Sequence, residues 1–273
     1  MKRLLTALVA LPILIVSILV PSLWWLFVLL AAAAMVFGLS EFYVLAKRLQ
    51  LKPDVQTGFV AAAAIFTISV QGDPAVTLLL VHLVVIVLTI VALIASVSRG
   101  GPFDKMIPST AATVLGVLYV PLLGSHLISL RVGFPPKLST HLLSFFFLVL
   151  MGSDAGAYYI GRAFGKHKLA PSISPGKTWE GVVGGVVAAL ALATLAHFWF
   201  FRELPLKHIL PLAVVMTLFG ILGDLVESAL KRGAGAKDAA NILPGHGGIL
   251  DRLDSLLFNA PLLYYFARFY FRS

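Results

Sequence analysis

The sequence predicts an all-α, polytopic integral membrane bundle of about nine transmembrane helices. Three observations lead there. Of the 273 residues, 59% are hydrophobic and 12% charged, against roughly 45–50% and about 25% in an ordinary soluble domain. The mean hydropathy is +0.97. The apolar residues also fall in continuous runs of about 17 to 25, close to the ~20 that a helix needs to cross ~30 Å of hydrocarbon.

In chain order the predicted spans cover 4–20, 22–46, 56–71, 74–98, 106–130, 140–164, 178–201, 206–231 and 251–271. Helix is expected over strand because the runs do not alternate, and because backbone polar groups in lipid must be satisfied within their own segment. Span one follows Lys2-Arg3 and so resembles a signal peptide. Its apolar stretch is longer than a typical h-region, Val20-Pro21-Ser22 offers no small-x-small site, and a second run begins at once, so an uncleaved helix is expected. Spans two and three carry Ala31–Ala34 and Ala61–Ala64, small residues suited to close helix packing. Lys52-Pro53, Gly72-Asp73-Pro74 and Gly100-Gly101-Pro102 punctuate the chain between the second and fifth spans. Trp24-Trp25 and Tyr264-Tyr265 read as parts of interfacial aromatic belts.

The chain has no cysteine, which excludes disulfides, thiolate metal sites and a cysteine nucleophile. Its net charge of +9 needs no nucleic-acid partner, because a positive-inside bias and anionic lipid account for it. With a cytoplasmic amino terminus, nine spans put 15 of the 21 Lys and Arg on the inner side. The expected location is the cell (inner) membrane, with the site on the cytoplasmic face. A division of labour is also expected: residues 1–140 as scaffold, with dimer or lipid contacts, and 141–273 as the helices carrying the site.

Charge concentrates in two stretches. Residues 154–180 hold six charged side chains in 27, and 224–254 hold nine in 31. Asp224 lies well inside span eight, where a carboxylate costs roughly 2.5–3.5 kcal/mol and must face the bundle interior. Glu227 and Ser228 share its helix face at i+3 and i+4, and Gly220, a turn earlier, is expected to admit a neighbouring helix. Asp251 and Asp254 form a second i, i+3 pair at the start of span nine, where the helix dipole favours negative charge. Between the two pairs lie Lys231, Arg232, Lys237 and the turn His246-Gly247-Gly248.

Carboxylates suit Mg²⁺, which uses one or two of them together with substrate phosphates. Lysines and arginines suit a polyphosphate, and a Gly-Gly turn lets backbone N–H groups approach an anion. The combination points to metal-assisted phosphoryl or nucleotidyl transfer. Ser174-Pro175-Gly176-Lys177-Thr178 is not a P-loop, because Pro171 stands where the first glycine is required.

These residues resemble a known family. Ser228-Ala229-Leu230-Lys231-Arg232, then Lys237-Asp238, then Leu243 through Asp254 resemble the signature of the phosphatidate cytidylyltransferases, or CDP-diacylglycerol synthases. Ser153-Asp154 to Tyr158, Gly161-Arg162 and Ser174 to Gly181 are similar to a second stretch of that family. The resemblance implies transfer of CMP from CTP to phosphatidic acid, with Mg²⁺ and a possible second cation, in a homodimer. It implies metal ligation by Asp224 and Asp251 with Asp254 and Glu227. It further implies catalytic roles for Lys237 and Arg252, CTP contacts from Ser228, Lys231, Arg232, His246, Gly247 and Gly248, and lipid-phosphate contacts from Arg162, Lys166 and Lys177. An ion-coupled transporter, or another lipid-phosphate transferase, is the alternative. The Asp-Gly-x-x-Ala-Arg opening of the CDP-alcohol phosphotransferases is absent.

Overall fold

The computed structural model describes residues 2–71, 73–100, 103–236 and 248–271. Every predicted span is helical there. Helix α1 covers Lys2–Leu19, α2 Trp24–Arg48, α3 Val55–Val70, α4 Pro74–Ser98, α5 Met106–Val117, α6 Leu123–Val132, α7 Pro136–Phe164, α8 Trp179–Trp199, α9 Leu206–Gly233 and α10 Leu250–Tyr270. Six helical segments among the described residues are long and apolar enough to cross a membrane, and Ala10–Leu19 and Val55–Val70 are shorter apolar helices. The last helix is less apolar than that class, with Asp251, Arg252 and Asp254 in its first turns, Asn259 and Pro261 in its middle and Arg268 in its last turn.

Two features differ from the expected spans. The fifth span is not one helix: α5 and α6 are joined by a wide π turn, Leu118–Leu122, with Pro121 inside it. A proline lacks the N–H that an α-helix needs at that position, and the wide turn accommodates the lost bond. Between α7 and α8 stands an antiparallel hairpin, β1 (Lys168–Ala170) and β2 (Ser174–Thr178), pairing Lys168 with Thr178 and Ala170 with Ser174.

In lipid the hydrophobic effect does not drive helices together, so close packing of small residues must. The α7–α8 pair is the most extensive contact in the bundle. Gly181, Gly184, Gly185, Ala189, Ala193 and Ala196 of α8 are all buried, and a Cβ on Gly184 would run into Ile160. The main core joins α2, α6, α7, α9 and α10 through Phe27, Met35, Leu39, Leu130, Phe145, Phe146, Met216 and Leu257. Tyr264 belongs to that core and packs on His126 and Phe134, so it is not part of an interfacial belt.

At one end of the bundle, Arg131 donates to the carbonyls of Ser17, Ile18 and Val20 and closes the C-terminus of α1. At that same end Glu203 accepts from Lys137 and His141. The opposite end gathers the C-termini of α2, α7 and α9, the hairpin and the N-terminus of α10.

Candidate functional site

The charged segments meet in one cavity of about 770 Å³, within the ~300–1,000 Å³ usual for small-molecule sites. Its walls come from α7 (Asp154, Tyr158, Arg162), the hairpin (Lys168, Lys177), α8 (Gly181, Val182), α9 (Gly220, Asp224) and α10 (Asp251, Asp254, Ser255). Asp224 lies nine residues before the end of α9 and Asp154 ten before the end of α7. At 1.5 Å rise per residue both are sunk roughly 13–15 Å below those helix ends.

Asp224, Glu227 and Asp254 converge, with one oxygen from each within 4.8 Å of the others. Gly223 makes this possible: a Cβ there would strike the Asp254 carbonyl oxygen, so only glycine lets α9 lie this close to α10. Gly220, expected to provide the close approach, has only ordinary contacts at its Cβ position, at 3.5–3.7 Å from Asn259, Ser255 and Leu150. Glu227 is buried, and its Oε1 has no hydrogen-bond partner among the described residues. A buried carboxylate oxygen without a donor is costly. This set of hard oxygen donors, with one acceptor unused, fits a divalent cation such as Mg²⁺.

The surrounding cations hold the carboxylates in place. Lys177 on β2 reaches Asp224 Oδ2 at 2.6 Å, and Ser228 donates to Asp224 Oδ1. Lys231 bridges Glu227 Oε2 at 2.7 Å and Asp251 Oδ1 at 2.8 Å, while Gly248 N–H donates to Asp251 Oδ2 at 2.9 Å. Asp251 is thus fixed by Lys231 and the backbone, and it touches the three-carboxylate cluster at Glu227. Thr178 caps α8 by accepting from Gly181 N–H, and Glu180 accepts from the ring and backbone of His167, so the hairpin is anchored on both sides.

The other sequence-predicted residues have distinct positions. Arg162 lines the rim and donates to Tyr158. Lys166 and Arg232 are exposed and do not line the cavity, and Arg232 reaches the carbonyl of Ile173. Arg252 is exposed on the first turn of α10. Lys237, His246 and Gly247 lie outside the described residues.

Four residues join the site that the sequence reading did not single out. Asp154 lines the cavity within electrostatic range of Asp224 and Lys177, and Lys168 lines its hairpin wall. Tyr119, in the π turn, has a buried hydroxyl with no partner among the described residues, within electrostatic range of Asp254, Glu227 and Asp224. Glu41 is the most consequential. Fully buried in α2, it accepts from Ile249 N–H at 2.9 Å and Leu250 N–H at 2.7 Å. A helix N-terminus has unpaired N–H groups and partial positive charge, and here a carboxylate some 208 residues distant caps the helix that carries Asp251 and Asp254.

The profile of the cytidylyltransferase family matches residues 1–270. The chain belongs to that family. Among curated cytidylyltransferases, the phosphatidate cytidylyltransferase of Bacillus subtilis (strain 168) is 45% identical over 154 residues, 55% of each chain. Its counterpart from Haemophilus influenzae is 46% identical over 129 residues, covering 46% of this chain and 45% of the relative. That of Staphylococcus saprophyticus is 50% identical over 123 residues, 45% and 47% respectively. The chain thus spans about half the length of the curated relatives it matches.

Proposed function

We propose that this cytidylyltransferase-family chain transfers CMP from CTP to phosphatidic acid, giving CDP-diacylglycerol and pyrophosphate. The observation that carries this reading is a polar cavity sunk among membrane helices, in which three carboxylates converge beside lysines and an arginine. A cavity at that depth suits one substrate arriving from water and another from the lipid leaflet. The names of the relatives support the same chemistry.

Asp224, Glu227 and Asp254 would hold Mg²⁺, with room for a second cation beside Asp154 or Asp251. The bound cation would supply charge neutralisation for the CTP phosphates in the transition state. Lys231 orients Glu227 and Asp251. Lys168 and Lys177 face the cavity as partners for the triphosphate and the departing pyrophosphate, joined by Lys237, His246 and Gly247 in the assignment made from sequence. Arg162 and Tyr158, on the rim, are suited to the lipid phosphate. An oxygen of that phosphate attacks the α-phosphorus in line, a new P–O bond forms, and the bond to the β-phosphate oxygen breaks. The attacking oxygen is already ionised at neutral pH, so no general base is needed.

The Lys and Arg excess at the cavity end supports a cytoplasmic site in the cell membrane. Helices α7 to α10 do the chemistry, and the earlier helices serve as scaffold and as a surface for a homodimer.

The test is incorporation of label from CTP into lipid by purified protein in detergent. CDP-diacylglycerol should form, Asp224→Asn and Asp254→Asn should each lower turnover by about 10²–10³-fold, and chelation should abolish it. No lipid product would sink the proposed reaction, and turnover surviving both substitutions and chelation would sink the metal assignment.

A further inference from the structure

A second charged recess lies away from the catalytic cavity, at the ends of α4 and α5. It encloses about 260 Å³ and is lined by Lys52, Ser96, Arg99, Phe103, Lys105 and Ser109, among others. Three cations therefore share one small basin with two hydroxyls. Among the described residues no carboxylate lies within ion-pair distance of any of the three.

The basin is held open by main-chain and hydroxyl contacts. The Lys52 main-chain N–H donates to Ser109 Oγ at 3.0 Å, and among the described residues no carboxylate pairs with the Lys52 ammonium. Arg99 spends Nε on the Ala95 carbonyl and Nη2 on Ser96 Oγ, which orients the guanidinium and leaves Nη1 without a partner among the described residues. Ser96 is fixed in turn by Thr110 at 2.7 Å. Among the described residues Lys105 reaches only the Gln50 carbonyl, at 3.5 Å. Oriented cations beside hydroxyl donors are what a phosphate oxygen cluster requires.

The surroundings decide between a soluble phosphate and a lipid one. Phe103 and Met106 line the basin, Phe103 at 64% exposure, and Ile107 of α5 with Ile94 and Val97 of α4, close in sequence to the lining residues, are exposed apolar side chains. The basin also lies at the bundle end that holds the catalytic cavity, since Lys52 comes four residues after α2 and Glu41 of α2 caps α10. A ligand with an anionic head and apolar tails matches both the cations and the wall. We propose that this basin binds the phosphate of an anionic glycerophospholipid from the adjoining leaflet, at a site separate from catalysis. The proposal does not rest on the reaction assigned to the catalytic cavity.

Native mass spectrometry of the full chain in detergent tests it, with phosphatidylglycerol, phosphatidylcholine of the same tails, or glycerol 3-phosphate added. Phosphatidylglycerol should bind in preference to phosphatidylcholine, and glycerol 3-phosphate should not displace it. Each surface cation contributes about fivefold in lipid affinity, so Arg99→Gln/Lys105→Gln should weaken the phosphatidylglycerol adduct about 25-fold, whereas Arg202→Gln/Lys207→Gln at the opposite end should not. If the double variant does not elute as the wild type does, Lys52→Gln should still give a loss of about fivefold. Equal retention of phosphatidylcholine, or an adduct indifferent to these basin substitutions, overturns the proposal. Displacement by glycerol 3-phosphate overturns the lipid assignment in favour of a soluble phosphate.

Discussion

Removing the charge of Glu41 should disable the site from a distance. Its two oxygens accept from Ile249 and Leu250 at 2.9 and 2.7 Å, and hydrogen bonds to a charged group contribute about 1.5–3 kcal/mol each. In Glu41→Gln one oxygen remains and the new amide group faces an N–H, so one buried donor is left unpaired at a cost of about 1–3 kcal/mol. Loss of negative charge at the positive end of the helix dipole adds up to about 2 kcal/mol. The wild type bears a desolvation cost for its buried carboxylate that the variant avoids, which brings the expected net loss to about 3 kcal/mol. For a chain of this size that corresponds to a melting temperature about 6–12 °C lower. The N-terminus of α10 would shift with Asp251 and Asp254 on it, and a displacement near 1 Å costs about 10²-fold in rate. Thermal melts in detergent and CMP incorporation read the two effects together. A variant that melts within a degree of the wild type and turns over at its rate would refute the argument that this cap positions the catalytic helix.

Further outcomes are expected from the same geometry. Gly223→Ala should push α9 from α10 where the Asp254 carbonyl lies against it, costing about 1–3 kcal/mol and at least tenfold in turnover, measured by melts and product formation. Lys231→Met should leave Glu227 and Asp251 without their shared cation. The expected loss is about 3–5 kcal/mol, and unchanged melting would show that the two acids are neutral together. At the far end, burial raises the Glu203 carboxyl, but its own backbone N–H, Lys137 and His141 outweigh that and hold it below the usual carboxylate range. Its stabilising contribution is therefore complete above the ordinary carboxylate pKa and is lost as pH falls through the lower folded value. Melting temperature monitored from pH 6 to 3 should decline less steeply in Glu203→Gln, with turnover at neutral pH unaffected.

The spans were legible because lipid demands long uninterrupted apolar runs, and nothing else in the chain competes with that signal. Asp224 and Glu227 were legible for the converse reason, since charge inside such a run is expensive enough to need a purpose, and Asp254 was legible as half of a second i, i+3 acidic pair. The hairpin was not: strands of three and five residues, one containing Pro175-Gly176, carry no alternating pattern. Pro121 sits in an apolar stretch that reads as continuous, so the π turn left no trace in hydropathy. Glu41 did leave a signal, a lone carboxylate seven residues before the Arg48 end of an apolar helix, but a single residue barely alters local charge density. Asp154 fell inside a charged segment and was outweighed there by its basic neighbours. The pairing of Lys231 with two acids depends on how α9 meets α10, which residue spacing alone does not encode.

The π turn also sets a limit on chain length. Each residue in a helix advances the side-chain direction by about 100°, so the wide turn at Leu118–Leu122 resets the phase between α5 and α6. Tyr119, on this turn, is buried against Phe42 and Phe258 within electrostatic range of the carboxylates, while α6 keeps Leu127, Ile128 and Leu130 in the core. Shortening the turn by a single residue would force a choice between the two: either the tyrosine leaves the site or α6 presents the wrong face to its neighbours. Length at this point is therefore fixed more strictly than amino-acid identity, and related chains should vary here by substitution and not by insertion or deletion.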